Sequence, residues 1–441
     1  MSSFRGPGVR AFLLIWTGQL VSMLGSGLTA FSLGVWIFQR TASTTQYSLV
    51  TFCAALPPLL ILPLAGPLID RWNRKRLLAG CDLIGAATSA GVAILVRLDA
   101  LSLAGACAIV VITSAATVVQ WPAYSATVTL LVPRDQLGRA SGLTQLAMSV
   151  PQVLAPLLAG ALITWIGLFG VALLDVATFL FSAATILAAA IPSAAPPGAE
   201  RTSYRHDLPF GWRYIFAHAG LLALLLMFAV VNFFTELATV VFTPLVLSFS
   251  TPAALGTILA IGGMGMIGGS ALMSLWGGPR RSALGVILFS CLGGLAVIAA
   301  GVTASVPLLA AAAFLFLFFM PVTAGSSQVI WQRVVPADLQ GRVFAVRTTI
   351  AMSAMPLASL AAGPLADRLA EPAMAPGGRL AGWLGPLIGT GPGRGIALIL
   401  IVAGSLSIVA ALAALFYPPL RRLDDNDSTV SPAPQPAYVK S

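Results

Sequence analysis

Long apolar runs alternate with short polar segments along most of the chain. Twelve of these runs reach about 18 residues, the length from which an α-helix can cross a lipid bilayer. The pattern therefore predicts an all-α membrane protein with twelve transmembrane helices. The predicted spans are residues 11–38, 46–69, 77–97, 101–124, 141–165, 168–191, 219–247, 253–276, 282–302, 305–331, 343–367 and 394–417.

One long polar interruption divides the spans into two blocks of six. Residues 192–218 open with a cluster of Pro and Gly and then become polar, which predicts a cytoplasmic linker. The end of this linker, 208–217, mixes aromatic and basic side chains, a pattern typical of a helix lying at the membrane surface. We therefore predict two six-helix halves, 1–191 and 219–420. Residues 421–441 become acidic and then rich in Pro and Ser, which predicts a disordered cytoplasmic tail.

Composition and charge narrow the class of protein. The 441 residues are 58% hydrophobic and 9% charged, which excludes an ordinary soluble or disordered chain. The net charge is +10, but the basic residues lie between the apolar runs, so we expect no nucleic-acid partner. Of the 24 Lys and Arg residues, 19 fall in segments predicted to face the cytoplasm, including Arg347 near the start of span 11. This asymmetry predicts a multi-pass membrane protein with both termini in the cytoplasm. Of the 24 basic residues, 22 are Arg, which is typical of a bacterial genome rich in G and C, so we expect the bacterial inner membrane.

An internal repeat relates the two halves. When the chain is shifted by 203 residues, the Val-Pro-x-Asp segment ending at Asp135 meets the one ending at Asp338. At the same offset, Gly138-Arg139 meets Gly341-Arg342. A register without gaps over about a hundred residues indicates a duplicated six-helix unit, an arrangement found in membrane transporters.

A loop motif between spans 2 and 3 gives the first functional signal. Gly66 is followed by Asp70-Arg71 and then by a basic cluster that begins at Arg74. Gly66 allows two helices to approach closely, and Asp70 at the membrane edge faces a helix N-terminus or pairs with a base. The motif resembles the loop motif of the major facilitator superfamily. That resemblance implies two pseudo-symmetric six-helix bundles that alternate between two open states.

A second motif, in span 5, bears on the direction of transport. Ala155-Pro156-Leu-Leu-Ala159-Gly160 resembles the Gly-Pro-x-x-Gly-Gly motif of antiporter-type exporters in this superfamily, with Ala in place of two Gly. An ordinary helix contact through Pro156 and Gly160 is the alternative. Span 4 carries no Arg. Many drug/proton antiporters of the superfamily carry one there, so the chain departs from their pattern in this span. In the second half, the segment that begins at Gly269 is a partial copy of the loop motif without its Asp.

Within the superfamily, the chain resembles macrolide-efflux permeases and exporters of siderophores and other non-ribosomal peptides. The resemblance extends over residues 10–420. It is carried by Asp70-Arg-Trp-Asn-Arg-Lys, by 174–179 and by the outer stretch from Glu371 to Gly395. It implies export of a compound of this kind.

Polar side chains within the spans mark a candidate substrate cavity. Span 7 carries Asn232, Glu236, Thr239 and Thr243 on one helical face. We expect Glu236 to bind and release a coupling proton, and a structural or paired carboxyl is the alternative. Other cavity candidates, in spans 1, 4 and 10, are Gln19, Ser22, Ser26, Thr29, Gln120 and Gln328. Asp82 and Asp175 lie in spans that this superfamily places away from the cavity, so the resemblance implies a structural role for both.

Few polar groups and several Trp residues in the spans suit a bulky lipophilic substrate. We predict a secondary active transporter that exports a lipophilic or peptide-like small molecule, such as an antibiotic, siderophore or drug, by proton antiport. The alternative is an importer of a small solute. The sequence has no Walker motif, no acid cluster for a metal-diphosphate and no histidine within a span, which argues against ATP-driven transport and against a membrane enzyme. We expect no cofactor and no metal, with the substrate, protons and the lipid bilayer as partners of a monomer.

Overall fold

A computed structural model describes residues 6–71, 73–133, 136–191, 212–336 and 339–420, without the side chains of 62–71, 341–342 and 345. Within these ranges the chain is almost entirely helical and has no strand. The long helices are α1 (Pro7–Thr41), α2 (Thr44–Arg71), α3 (Arg74–Arg97), α4 (Leu103–Leu131), α5 (Leu137–Ala188), α7 (Ala219–Phe249), α8 (Pro252–Trp276), α9 (Ser282–Val302), α10 (Val306–Val334), α11 (Gln340–Pro364) and α14 (Arg394–Leu415). The shorter segments are α6 (212–217), a π-helical turn (Leu365–Ala370), α12 (Glu371–Met374) and α13 (Ala381–Ile388).

Side-chain caps define where three of the long helices begin. Asn73, Ser102 and Thr251 precede α3, α4 and α8, and each accepts an N–H from the third residue of its helix at 3.1–3.3 Å. Such a cap satisfies a backbone donor that would otherwise have no partner and contributes about 1 kcal/mol. Single polar residues in short loops therefore specify these boundaries.

Helix α5 contains two membrane crossings. Its 52 residues would extend about 78 Å as one straight helix, more than twice the thickness of a bilayer core. Gly167 breaks the helix with φ 64° and ψ −178°, a conformation that is strained for other residues. Ala155 and Val171, on either side of the break, belong to one buried cluster, so the chain turns back on itself. Eleven described helices are long and apolar enough to cross a membrane, and the break in α5 makes twelve crossings, as the sequence predicted.

The helices pack as two halves. In the first half α5 packs on α1 and α3, and α4 packs on α2 and α3; in the second half α9 and α10 pack on each other and on α14 and α8. The halves meet where α5 contacts α8 and α2 contacts α11. Because an even number of crossings returns the chain to its starting side, residues 6 and 420 lie on one face, here called the terminal face. The opposite side is called the distal face.

Small residues allow the halves to touch near the distal face. A Cβ at Gly256 would collide with the carbonyl oxygen of Pro156, and a Cβ at Gly160 would lie 2.6 Å from the carbonyl oxygen of Pro252. A buried apolar cluster continues across this junction, with Val35 from the first half and Val241 and Ala358 from the second. We call these contacts the distal seal. The predicted linker up to residue 211 and the tail from 421 lie outside the described residues.

Candidate substrate cavity and gating contacts

A cavity of about 290 Å³ lies within the second half. Its lining comes mainly from α7, α9, α10 and α11, and most of it is aromatic or aliphatic. The aromatic members are Phe228, Phe234, Phe289, Phe316, Phe319 and Trp331. Leu225, Trp331 and Arg347 lie within about two turns of the ends of their helices, so the cavity is nearer the terminal face.

Arg347 brings a positive charge to this cavity. The sequence analysis counted it with the cytoplasmic basic residues, but it lies within α11 and lines the cavity. Its Nη1 donates to Gln328 Oε1 at 2.8 Å and its Nη2 to Ser327 Oγ at 3.4 Å. The guanidinium carbon lies 5.2 Å from the ring centre of Trp331, which is a cation–π contact. Among the described residues, no carboxylate lies within salt-bridge distance of Arg347.

Asn232 and Ser290 add neutral polar groups to the lining. Ser290 is 7% exposed, and its hydroxyl has no hydrogen-bond partner among the described residues. A buried hydroxyl without a partner is costly, so Ser290 has a hydrogen bond to offer to a molecule in the cavity. Of the predicted cavity residues, the structure therefore places Asn232 in the lining and Gln328 beside it, through Arg347.

Glu236 lies at the junction between the halves. Ser359 Oγ of α11 donates to Glu236 Oε1 at 3.4 Å. From α2 in the other half, Tyr47 lies beside Thr243 and near Glu236. Three helices from both halves therefore surround this carboxyl. Thr239, on the same helical face, is exposed and donates to the carbonyl oxygen of Thr235 in its own helix.

The candidates predicted in the first half are gathered around two buried acids instead. Gln19 Nε2 donates to Asp82 Oδ2 at 3.3 Å, and Gln120 Nε2 donates to Asp82 Oδ1 at 2.6 Å. Gln19 also donates to Ser182 Oγ at 2.9 Å. Asp82 is 0% exposed, and these bonds give it the structural role that the superfamily resemblance implied.

Asp175 is the centre of the second group. Ser89 Oγ donates to its Oδ2 at 2.6 Å, and Thr178 Oγ1 donates to its Oδ1 at 3.3 Å. Ser26 and Thr29 of α1 lie beside the same carboxyl, and Ser22, one turn earlier in α1, is buried. The polar face of α1 therefore packs against the first half's own helices.

A carboxylate that the sequence analysis overlooked connects the halves at the distal face. Asp367, in the π-helical turn after α11, accepts the N–H of Thr45 at 2.8 Å and that of Thr44 at 3.1 Å. Ser43 Oγ donates to the same carboxylate at 2.7 Å. Asp367 therefore caps the N-terminus of α2 from the opposite half, where the helix dipole favours a negative charge.

A sequence signal for this cap was available. Residues 363–368 read Gly-Pro-Leu-Ala-Asp-Arg and residues 66–71 read Gly-Pro-Leu-Ile-Asp-Arg. The 203-residue offset does not align these two segments, so they were not compared. A search for a second copy of the loop motif at every offset would have found it. Gly363 belongs to the contact, because a Cβ there would collide with the backbone of Thr45.

The other predicted gating residues are described only in part. The side chains of Asp70 and Arg71 are not described, although the backbone from Gly66 to Arg71 forms the end of α2. Arg74 Nη1 donates to the carbonyl oxygen of Ala126 at 3.2 Å and so connects α3 to α4. Pro156 and Gly160 lie in the distal seal, where the backbones of α5 and α8 approach so closely that a Cβ at Gly160 or Gly256 would meet the facing backbone.

Two pseudo-symmetric helical halves joined across a junction, with a cavity inside the second half, fit the architecture of a solute transporter. The sequence profile described as the Major Facilitator Superfamily matches residues 15–359, and the chain belongs to that family. It is therefore a multi-pass membrane transporter and not an enzyme.

The relatives and structural neighbours fit this assignment. The chain is 25% identical over 370 residues to macrolide efflux protein A of Streptococcus pyogenes, covering 81% of this chain and 90% of that protein. It is 25% identical over 384 residues to the multidrug efflux pump Tap of Mycobacterium tuberculosis, covering 83% and 88%. The fold matches a bacterial homologue of the human lysosomal transporter Spinster in its inward-facing, unoccupied conformation, with a TM-score of 0.70, 16% identity and coverage of 97% and 100%.

Proposed function

We propose that this transporter exports a lipophilic or peptide-like small molecule by alternating access, in exchange for protons, across the bacterial inner membrane. One observation carries the proposal: the halves are sealed near the distal face, and an aromatic cavity lies on the terminal side of that seal. With the termini in the cytoplasm, such a state takes up its substrate from the inside. The relatives named as efflux proteins support this direction.

The cap on α2 supplies a physical basis for alternation. Opening the distal face must break the hydrogen bonds from Ser43, Thr44 and Thr45 to Asp367. Asp70 ends α2 near the terminal face with the same Gly-Pro-Leu-x-Asp-Arg segment, and α11 begins near that face at Gln340. We infer that Asp70 caps α11 when the terminal face closes. Asp367 then stabilises the state with a closed distal face, and Asp70 stabilises the state with a closed terminal face. Only one of the two contacts forms at a time.

Glu236 is the group that we expect to carry the coupling proton. It lies beside Ser359 and Tyr47, at the junction that separates when the distal face opens. Opening would admit external water and protons to the carboxyl. Closing would return it to a buried site, where its neutral form is favoured. Substrate binding from the cytoplasmic side would then displace the proton inward, which completes a cycle in which substrate leaves and protons enter.

The test is transport by purified protein in liposomes with an imposed pH gradient. The probe is N-acetyl-2-naphthylalanine amide, a neutral, fluorescent, lipophilic and peptide-like compound. We expect the parent protein to move it uphill against the proton flux. Glu236→Gln should lose gradient-driven transport and keep exchange between equal probe concentrations, because Gln imitates the protonated carboxyl.

Asp99→Asn is the matched control, because Asp99 is an exposed acid paired with Arg40 at 2.7 Å on the surface. It should leave gradient-driven transport unchanged. Full gradient-driven transport by Glu236→Gln would reject the coupling role of Glu236. Uphill movement in the direction of the proton flux by the parent would reject export and favour the import alternative.

A further inference from the structure

We propose that the cavity in the second half selects ligands whose lipophilic body carries a carboxylate. This inference rests on the proposed function, since it names the substrate class of the same transporter. Arg347 carries the inference. Its side chain lies in a mostly apolar cavity, and no described acid forms an ion pair with it.

The donors of Arg347 are only partly used. A guanidinium has five N–H groups in a planar fork that matches a carboxylate, and Arg347 directs two of its nitrogens to Gln328 and Ser327. Both partners are neutral, so the positive charge remains. In an apolar site, a charged group without a counterion costs free energy that a bound anion would recover.

The described acids form contacts in other parts of the molecule and do not pair with Arg347. None of them lines the cavity. Asp82 and Asp175 are hydrogen-bonded within the first half, and Asp99 pairs with Arg40 on the surface. Glu236, which follows the lining residue Thr235 but is not itself in the lining, accepts from Ser359 at the junction. Asp367 caps α2, and Glu371 accepts the N–H groups of Gly393 and Ile396. A cationic ligand would therefore find no carboxylate in the lining to pair with. It would also be repelled by the positive charge of Arg347, because like charges repel strongly in a site of low polarity.

The remaining lining fits the rest of such a ligand. The aromatic side chains provide a surface for a flat or branched apolar body. The Ser290 hydroxyl, which has no partner among the described residues, can donate to a carbonyl or carboxylate oxygen. The Asn232 amide supplies both a donor and an acceptor. Together these groups match an amphipathic organic acid better than a neutral or cationic compound.

The test compares the binding of three fluorescent probes that share one body. They are N-acetyl-2-naphthylalanine, its amide and its 2-aminoethyl amide, which are anionic, neutral and cationic. Binding to detergent-purified parent protein is followed by fluorescence anisotropy, without a pH gradient. We expect the acid to bind about tenfold more tightly than the amide, as a charge-assisted pair in an apolar site predicts, and the amine to bind weakest.

Substitutions test whether Arg347 causes the preference for the acid probe over the amide. Arg347→Gln should remove the preference of the acid over the amide, and Arg347→Lys should retain part of it. Arg333→Gln, which removes an exposed charge near the end of α10, should leave the preference unchanged. Ser290→Ala should weaken the binding of the acid and the amide by a similar factor, because it removes a neutral donor. Thermal unfolding of each variant verifies that it is folded.

Several outcomes would overturn the inference. If Arg347→Gln still prefers the acid over the amide, Arg347 is not the anion site. If the parent protein binds the amine as tightly as the acid or more tightly, carboxylates are not the preferred ligand class. Failure of all three probes to bind would reject the cavity as their site. Because binding requires no gradient, these results are independent of whether uphill export of the neutral amide is observed.

Discussion

The two halves share a fold but use their buried polar groups differently. In the first half, Gln19 and Gln120 donate to Asp82 and Ser89 donates to Asp175, so these polar groups hold helices of one half together. Thr29, Ser32 and Tyr124 of the same half keep buried hydroxyls without a partner among the described residues. In the second half, Arg347 and Ser290 face a cavity, and Asp367 reaches across to the other half. The difference teaches that polar groups in a duplicated membrane fold can serve cohesion in one copy and ligands or gating in the other.

One pair of positions illustrates this difference. Gln120 and Thr323 are related by the 203-residue offset and occupy α4 and α10. Gln120 donates to Asp82, whereas Thr323 lines the cavity. Gly285 stands at the position that the offset pairs with Asp82, so the second half has no acid there. At this pair of positions, the polar side chain of the first half therefore bonds to an acid on a neighbouring helix, whereas Thr323 donates only to the carbonyl oxygen of Phe319 in its own helix.

The largest expected effect comes from removing the acid of the first half. Asp82→Ala leaves the amides of Gln19 and Gln120 without their acceptor in a buried site. We expect a loss of about 2–3 kcal/mol in the free energy of unfolding, measured by denaturant titration in detergent. Asp99→Ala, which breaks only an exposed ion pair, should cost less than about 1 kcal/mol. Similar losses for the two variants would contradict the cohesive role of the first-half network.

Asp367→Asn should change the conformation of the transporter more than its stability. The variant weakens the cap on α2 and should shift the balance toward distal opening by about tenfold, or about 1.4 kcal/mol. Spin labels at the exposed positions Ala100 and Thr303, one in each half, report the change as a longer distance. Glu371→Gln is the control, because Glu371 caps α14 within its own half. An unchanged distance distribution in Asp367→Asn would exclude a gating role for Asp367.

Two serines offer a smaller and more selective comparison. Ser89→Ala removes a 2.6 Å hydrogen bond to Asp175 and should lower the free energy of unfolding by about 1–2 kcal/mol. Ser290→Ala removes a hydroxyl without a described partner, so stability should stay within about 0.5 kcal/mol. Binding of N-acetyl-2-naphthylalanine should instead weaken about threefold in Ser290→Ala. Equal stability losses in the two variants would remove the distinction between the halves.

Thr239→Ala should have the smallest effect. Thr239 is exposed, and its hydroxyl donates only to the carbonyl of Thr235 in the same helix. We expect less than about 0.5 kcal/mol in stability and less than about a twofold change in transport of the naphthylalanine amide. A larger loss of transport with unchanged stability would instead place Thr239 on the substrate path, as the periodicity of span 7 predicted.

The sequence by itself determined the number of spans and the division into two halves. Both follow from hydropathy and from the 203-residue repeat, because a bilayer accepts only long apolar helices whose backbone donors and acceptors are satisfied internally. It also contained the two Gly-Pro-Leu-x-Asp-Arg segments, from which a gate at each face could have been inferred.

Only the tertiary structure decided what each polar side chain faces. Helical periodicity groups Gln19 with Ser22, and Asn232 with Glu236, but it does not say whether a polar face meets a neighbouring helix, the other half or a cavity. Packing turned Gln19 toward Asp82, placed Glu236 at the junction and left Arg347 in an aromatic cavity. The physical reason is that burial makes every polar group require a partner, and partners distant in the sequence become neighbours only in the folded bundle.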